Sequence, residues 1–357
     1  MAMLNSISCN DVHKSQIEAI QSVPPLRVTE PRQTRQVSVV DTDAATRVFH
    51  GCLNIVLYYN GAVTENSGWV VAGWFKESLM RTLVEHPMLS GRLRRVEHGN
   101  GELEIVSNDS GARLIEAKIP IKLQEFLDSK DREKLEAELV LWKNIDEENP
   151  QFSPLFYVQV TNFQCGGYSI GISCSLLLAD LFIAQNFISQ WAEMHRDVVS
   201  KNEVVKLPIF YLPNLKPKSF SPDCTITTTP SKNSGQTMIF RTESQSVDLK
   251  NALRLSIEEA ESKLGVEMPS EFFLVVKEST MVTKVRNCKK HDLEMLPSKL
   301  GPKLVSSSWD VLGINGVAFH EENKPACVSY WIGSIKDGLV LAIAVPNSPE
   351  FNIIISP

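Results

Sequence analysis

Side chains that could carry out nucleophilic chemistry lie together near the middle of the chain. Cys174 and Ser175 close an apolar run, and Asp180 follows them after four further apolar residues. A thiol or hydroxyl attacks a carbonyl only when a base within hydrogen-bond reach activates it. The sequence offers no such base nearby, so a core cysteine and a strand serine are the preferred interpretation. A substitute catalytic role for Cys174 or Ser175 stays open.

The histidines offer no obvious replacement base. The chain has seven: His13, His50, His86, His98, His195, His291 and His320. None of them stands four residues before an aspartate, and a surface or loop position is the preferred interpretation of each. His195 is predicted at the end of the helix that follows Asp180, where the C-terminal dipole favours positive charge.

The elements that position this stretch are a hairpin and a helix. Two β-prone runs, residues 155–163 and 168–179, flank the turn Gln164-Cys165-Gly166-Gly167, which predicts a β-hairpin. After Asp180 the apolar residues recur at helical spacing as far as Trp191, which predicts an amphipathic helix. Asp180 stands where an N-cap or first-turn acid is favourable.

This hairpin and helix resemble the plant BAHD acyltransferase family, whose signature His-x-x-x-Asp-Gly lies at the same strand-to-helix junction. In the matching positions, Leu176 replaces the histidine, Asp180 is kept, and Leu181 replaces the glycine. Residues 87–93, 108–117 and 152–155 look like further blocks of the family in the same order. The resemblance therefore covers most of the chain.

In that family the histidine is the general base. It removes a proton from an acceptor hydroxyl or amine as that atom attacks an acyl-CoA thioester. An imidazole suits the task because its pKa lies near neutrality, whereas a leucine accepts no proton. The resemblance implies a structural role for Asp180, lost catalysis at Leu176 and no bound cofactor. Acyl-CoA is the implied co-substrate of any reaction that remains.

The second half of the chain departs further from the family. The signature Asp-Phe-Gly-Trp-Gly aligns with residues 319–323, and only the trailing Lys324-Pro325 is shared. A strand, a helix, an Asp-x-Arg segment and a final helix of the family have no counterpart. The resemblance implies an α+β fold with two lobes like chloramphenicol acetyltransferase domains. The first lobe is predicted at residues 1–200 and an abridged second lobe at 239–357. A Pro-, Ser- and Thr-rich crossover linker at 201–238 is predicted to join them.

Periodicity predicts the remaining elements. Residues 1–45 are polar and punctuated by proline, and are predicted to form loops. Helices are predicted at residues 68–84, 123–142 and 247–264, and strands at 48–59, 103–106, 112–117, 272–276, 305–309, 326–331, 339–345 and 351–355. Asp337-Gly338 predicts a hairpin between the strands on either side of it.

Composition argues against several classes of function. A net charge of −6 without a basic stripe disfavours nucleic acid as a partner. Seven cysteines without C-x-x-C spacing favour a reducing compartment, and argue against disulfides and a zinc site. Neither a signal peptide nor a transmembrane segment is recognised. We therefore expect a cytoplasmic monomer, held at the endoplasmic reticulum face where a partner binds it.

Three functions remain open at this point. Residues 163–167 and 180–187 look most like the eceriferum/glossy group of cuticular-wax proteins. Members of that group are thought to act with the condensing enzyme of very-long-chain fatty acid elongation, so a non-catalytic accessory is the first hypothesis. The alternatives are a repurposed lyase-type enzyme and a weak acyl-CoA-dependent O- or N-acyltransferase. Whether the chain is an enzyme stays open.

Overall fold

The chain builds two β-sheets with helices packed on them. The computed structural model describes residues 14–39, 48–61, 68–96, 102–201, 237–243, 248–279, 281–294, 303–307, 309, 313–333, 335 and 338–357. Within these residues one sheet has six strands and the other nine. The predicted α+β fold class is confirmed.

The first sheet has the strand order β1-β6-β7-β8-β3-β13. Its strands are β1 (Gln16–Val23), β3 (Cys52–Tyr59), β6 (Ala112–Ile119), β7 (Phe156–Phe163), β8 (Tyr168–Ser175) and β13 (Cys327–Gly333). The helices that pack with it are α1 (Gly68–Thr82), α2 (Leu123–Leu127), α3 (Arg132–Leu135) and α4 (Leu181–Lys201).

Both faces of the first sheet are covered. Alternate residues of a strand point to opposite faces. The odd-numbered residues from Leu53 to Tyr59 accordingly pack in the cluster that contains α1 and α4 side chains. Val56 and Tyr58 pack with residues of the segment 119–140 on the other face. This double cover explains why β3 is a nearly continuous apolar run.

A glycine permits the close approach of that covering segment. A Cβ on Gly171 of β8 would lie 1.9 Å from the backbone carbonyl oxygen of Leu139. The chain can therefore lie directly on the strand only because this position lacks a side chain.

The second sheet has the strand order β12-β9-β15-β14-β10-β11-β2-β5-β4. Its strands are β2 (Thr34–Val39), β4 (Arg92–Arg95), β5 (Leu103–Val106), β9 (Met238–Glu243), β10 (Glu271–Lys277), β11 (Val282–Lys289), β12 (Lys303–Ser307), β14 (Leu339–Ala344) and β15 (Phe351–Ser356). The helices α5 (Leu249–Leu264) and α6 (Lys290–Glu294) pack against it. Helix α5 begins after Asp248, whose side chain accepts a hydrogen bond from the amide of Lys250, and ends at Gly265 with φ 66°.

The two sheets do not correspond to the two halves of the sequence. Strand β13 belongs to the first sheet, although it comes from the last part of the chain. Strands β2, β4 and β5 belong to the second sheet, although they come from the first third. The predicted lobe boundaries stay a prediction, because nearly all of the predicted linker at 201–238 lies outside the described residues.

Several predicted elements are confirmed. Strands β7 and β8 pair antiparallel around the turn at residues 164–167, where Gly166 has φ 82°. The long helix begins at Leu181, directly after Asp180, and the helices predicted at 68–84 and 247–264 are α1 and α5.

Other expectations were wrong. Residues 1–45 are not loops throughout: β1 pairs with β6, and β2 pairs with β5 and β11. Strands β13 and β14 belong to different sheets, so Gly338 lies in a connection between sheets and not in a hairpin. Residues 123–142 form short helical turns instead of one helix, and the segment from Val140 onward is extended.

Candidate functional site

A tight turn links β8 to α4 and carries the predicted site residues. The backbone carbonyl of Ser175 accepts hydrogen bonds from the amides of Leu178 (2.8 Å) and Ala179 (2.7 Å). The hydroxyl of Ser175 accepts another from the amide of Leu177 at 3.3 Å. The turn leads the chain from strand to helix, with Asp180 immediately before the first helical residue.

The side chain of Leu176 is sealed inside the protein. It has no exposed surface, and its amide donates to the carbonyl of Gly51 at 3.1 Å. A Cβ built on Gly51 would lie only 2.5 Å from Cδ1 of Leu176 and 2.8 Å from Cδ1 of Ile335. Leu176 therefore fills the space beside Gly51 and offers no group that could accept a proton.

Two buried cations of the second sheet bind the carbonyls of this turn. The guanidinium of Arg35 on β2 donates to the carbonyl of Leu177 at 3.3 Å. The ammonium of Lys277 on β10 donates to the carbonyl of Ala179. The turn at the end of β8 is thus held where the two sheets meet.

Burial lowers the pKa of both cations at this junction. Burial lowers the pKa of Lys277 to about 7, the charge of Arg35 lowers it too, and the charge of Asp180 opposes both. Burial also lowers the pKa of Arg35, again opposed by Asp180. The carboxylate of Asp180 therefore acts electrostatically on both cations, which is compatible with the structural role implied for it.

Cys174 lies on β8 as a buried thiol. Burial raises its pKa to about 12, although the charges of Lys277 and Arg35 oppose the shift. At neutral pH the group is a thiol and not the nucleophilic thiolate. The neighbouring hydroxyl of Ser175 is engaged with the backbone amide of Leu177. Neither residue is in an environment that activates it, and a substitute catalytic role for either stays a prediction.

Two cavities adjoin the turn. A narrow one of about 20 Å³ lies beside Asp180, and its lining is almost wholly apolar. A wider one of about 280 Å³ is lined by Arg35, His86 and Met281 among others. Leu89 and Leu178 line both cavities. The narrow cavity has room for about one water molecule, so the space beside Asp180 is much smaller than a thioester substrate.

An imidazole does line the wider cavity. Nε2 of His86 lies 2.6 Å from Oε1 of Gln190 on α4, and the ring packs edge-on against Phe187 at 5.4 Å between centroids. Phe187 in turn lines the narrow cavity beside Asp180. His86 is a half-buried loop residue before the turn at Pro87–Ser90, as the sequence predicted, and its ring is also a neighbour of the site.

The position of His195 on the helix differs from the predicted one. Helix α4 runs to Lys201, so His195 is not at its end. Its imidazole is fully buried and stacks on Phe75 with ring centroids 4.3 Å apart. Burial lowers its pKa well below the ordinary value, helped by His320 and Arg196. The ring is therefore neutral, and the helix-dipole explanation of His195 was wrong. His13 and His98 lie outside the described residues.

Residues 319–323, which align with the family's Asp-Phe-Gly-Trp-Gly signature, lack its residues but begin with a well-packed aromatic side chain. Phe319 is fully buried, with its ring edge-on to Trp191 at 4.9 Å and tilted against Phe75 at 5.4 Å. The hydroxyl of Tyr59 donates to the carbonyl of Val317 at 2.9 Å. Aromatic packing thus fixes this segment against α1 and α4.

Sequence reasoning missed the residues that surround the turn. Gly51, Arg35, Lys277 and His86 all approach it from distant parts of the chain. Only Lys277 carried a local signal, since it is a lysine at the end of the apolar run of β10. A lysine buried in a strand is rare unless it is paired.

Comparisons with known proteins point to one family. The family model described as the transferase family matches residues 23–265. A 3'-N-debenzoyl-2'-deoxytaxol N-benzoyltransferase of Taxus canadensis is 31% identical over 189 residues, which are 53% of this chain and 41% of that protein. Protein ECERIFERUM 26-like of Arabidopsis thaliana is 33% identical over 118 residues, 33% of this chain and 27% of that protein. The chain thus matches less than half the length of these relatives.

A solved structure is similar at lower identity. The crystal structure of vinorine synthase aligns with a TM-score of 0.49 and 16% identity, covering 96% of this chain and 94% of that chain.

A metal centre and a membrane-spanning helix are both absent from the described residues. Among the described residues, no three His, Cys, Asp or Glu side chains are grouped as a metal ion requires. No described helix combines the length and the apolar character needed to cross a bilayer.

Proposed function

The chain belongs to the transferase family of BAHD acyltransferases, and we propose that it is a non-catalytic member that assists very-long-chain fatty acid elongation in cuticular wax formation. One observation carries the proposal: the side chain of Leu176, at the position of the family's base, is fully buried against Gly51 and Ile335.

The reason is the chemistry of proton removal. A hydroxyl or amine attacks a thioester efficiently when a base of near-neutral pKa takes its proton, and a positioned base contributes about 10²–10⁴-fold to the rate. A buried leucine supplies none of this. The neighbouring thiol of Cys174 keeps its proton at neutral pH because burial raises its pKa to about 12, so it does not replace the base.

The size of the site supports the same conclusion. The cavity beside Asp180 measures about 20 Å³, far below the roughly 300–1,000 Å³ of usual ligand sites. Among the described residues, the adjoining cavity of about 280 Å³ is the larger of the two spaces that border this turn. In the proposed role acyl-CoA is a ligand or a passing intermediate and not a substrate consumed at Asp180.

The proposed partner is the condensing enzyme of fatty acid elongation. The choice follows from the resemblance to the eceriferum group; ECERIFERUM 26-like and ECERIFERUM 2 of Arabidopsis thaliana are 33% and 27% identical to the matched parts of this chain. Such a partner would hold the chain at the cytoplasmic face of the endoplasmic reticulum.

A reconstituted elongation assay tests the proposal. The purified chain is added to microsomes that contain a plant condensing enzyme, and the acyl products are measured by gas chromatography. We expect longer products than without the chain, and recovery of the condensing enzyme with a tagged chain. Leu176→Met keeps volume and polarity and should act like the wild type, because no chemistry passes through this position.

Two outcomes would contradict the accessory role. One is an unchanged distribution of chain lengths together with no recovery of the condensing enzyme. The other is the appearance of an ester or amide product whose formation requires the added chain. Heat-denatured chain provides the control for non-specific effects of added protein.

A weak acyl-CoA-dependent transferase is a second candidate, because His86 lines the cavity next to the turn. If Gln190 accepts from Nε2 at 2.6 Å, then Nδ1 of His86 keeps its lone pair. Any residual transfer should then fall by about 10²-fold or more in His86→Gln. His291→Gln, which changes an exposed histidine remote from this cavity, is the matched control. Equal transfer by the two variants would remove this candidate.

A further inference from the structure

The wider cavity beside the turn is lined differently at its mouth and at its inner end. It measures about 280 Å³. Its exposed lining residues, which mark the mouth, are Gln33, Glu85 and Met281. Its buried lining residues, which mark the inner end, include Arg35, Leu89 and Leu178. A ligand that passes the mouth therefore meets one buried cation between apolar side chains.

The charged end of Arg35, and not only its stem, lies at the inner end of the cavity. Nη1 donates to the carbonyl of Leu177 at 3.3 Å, and the next residue, Leu178, forms part of the cavity wall. Glu85 also carries a charge, but it is exposed at the mouth, where water and salt screen its carboxylate. The remaining titratable group of the lining is the imidazole of His86. The buried charge of the lining is thus positive.

The groups behind this wall leave an excess of positive charge. The carboxylate of Asp180 acts on Arg35 and also on Lys277, the second buried basic group at the turn. Two basic groups thus share one carboxylate. The pKa of Lys277 is lowered to about 7, chiefly by burial and then by the charge of Arg35, so a second anion beside Arg35 would favour the charged ammonium. An anionic ligand group at the inner end is therefore electrostatically favoured.

The rest of the lining selects what is attached to that anion. Met88, Leu89, Leu178 and Met281 give the cavity apolar walls, and Leu89 and Leu178 also line the narrow apolar cavity of about 20 Å³. At about 30 Å³ for a group the size of a water molecule, the two spaces hold about ten non-hydrogen atoms. A multiply charged ligand would place charges against apolar walls, whereas a fatty acid carries one charge and an apolar chain.

We propose that the wider cavity binds a medium-chain fatty acid as its free carboxylate, with the head group at Arg35 and the chain against Met88, Leu89 and Leu178. The planar guanidinium matches a carboxylate in geometry as well as in charge. Octanoate has about ten non-hydrogen atoms and therefore the size that fits. This site goes beyond the accessory role, because binding there requires neither the condensing enzyme nor acyl transfer.

Equilibrium dialysis of the purified chain with radiolabelled octanoate, near neutral pH and below the concentration at which micelles form, tests the proposal. We expect saturable binding of one octanoate per chain. The neutral molecule of the same length, 1-octanol, should compete at least about 10-fold less well than unlabelled octanoate, because hydrogen bonds to charged groups are the stronger ones. Affinity should rise about 4-fold with each methylene up to octanoate, and should level off by dodecanoate because the cavity is then full.

Substitutions in the lining locate the site. Arg35→Lys keeps the charge but not the planar fork, and should weaken octanoate binding about 10-fold without changing the affinity for 1-octanol. Met281→Trp narrows the mouth and should weaken both ligands. Met281 is 50% exposed, so this variant should fold and keeps the test decisive if Arg35→Lys does not. Val266→Trp adds the same ring at another exposed position, outside this cavity, and is the matched control.

Several results would overturn the proposal. It fails if 1-octanol competes as well as octanoate, if affinity keeps rising at the same rate through dodecanoate, or if no saturable binding is found. Wild-type affinity for octanoate in folded Arg35→Lys or in Met281→Trp would refute it as well, as would a loss of the same size in Val266→Trp.

Discussion

The side chain of Leu176 occupies the space that a side chain on Gly51 would need. The two residues are joined by a 3.1 Å hydrogen bond from the amide of Leu176 to the carbonyl of Gly51. A Cβ on Gly51 would come within 2.5 Å of Cδ1 of Leu176. If Leu176 stands at the position of the family's base, as proposed, then the missing base and the filled space beside Gly51 are one feature, because the same side chain accounts for both.

Gly51→Ala is predicted to destabilise the fold by about 1–3 kcal/mol, as overpacking does in a full core. The added methyl would press on Cδ1 of Leu176 and on Cδ1 of Ile335, the latter at 2.8 Å. Chemical denaturation measures the loss. Gly316→Ala is the control, because nothing lies within 4 Å of a Cβ there.

Leu176→Ala should partly relieve the strain of Gly51→Ala. The stability lost in the double variant should therefore be smaller than the sum of the losses in the two single variants. Strict additivity of the two would show that Leu176 and Gly51 do not compete for the same space.

The buried amine of Lys277 is predicted to give the folded state a specific pH dependence. Its pKa is about 7 when folded and 10.5 ordinarily. Between these values the unfolded chain holds a proton that the folded chain lacks, so the free energy of unfolding rises with pH, by up to about 1.4 kcal/mol per pH unit. The cost of burying the charged ammonium of Lys277 lowers the stability of the folded state below about pH 7. This cost is relieved as the pH rises towards 10.5.

Urea unfolding of wild type and Lys277→Met between these pH values measures the effect. The stability of the wild type minus that of the variant should rise with pH, since all other titrating groups are common to both. Lys284→Met, which changes an exposed lysine on β11, is the matched control. A flat difference for Lys277→Met would mean that the amine stays charged in the folded protein.

Two stacked tyrosines are predicted to respond in opposite ways to loss of their hydroxyls. Tyr59 and Tyr168 lie 5.0 Å apart between ring centroids. The hydroxyl of Tyr59 donates to the carbonyl of Val317, so Tyr59→Phe should cost about 1 kcal/mol or more, because that carbonyl loses its donor. Tyr168→Phe removes a buried hydroxyl without a partner in the described residues, and should be neutral or stabilising. Thermal unfolding compares the two; an equal loss in both would contradict the hydrogen-bond assignment.

The elements predicted from the sequence are those whose signals are local. The hairpin of β7 and β8 depends on alternation and on the adjacent glycines Gly166 and Gly167, all within one short stretch. Helix α4 likewise follows from the spacing of apolar residues after Asp180. Strand β1 carried no comparable signal, because its pairing partner is remote: Gln21 lies opposite Leu114.

The site could be predicted only in part, for the same reason. The sequence indicates that Leu176 stands where a base is expected, but its burial depends on Gly51 and Ile335, which approach from far away in the chain. Arg35 and Lys277 reach the turn from β2 and β10 of the other sheet. His86 and His195 could not be placed because nothing near them in the sequence says which other element they face.

The central claim is that Leu176 silences acyl transfer, and the release of free CoA from an acyl-CoA in the presence of an alcohol tests it most directly. We predict that wild type releases no CoA above the uncatalysed rate, and that Leu176→His brings no gain because the new imidazole would be buried. Release by the wild type at the rate of ordinary acyltransferases would contradict the account, as would a large gain in Leu176→His.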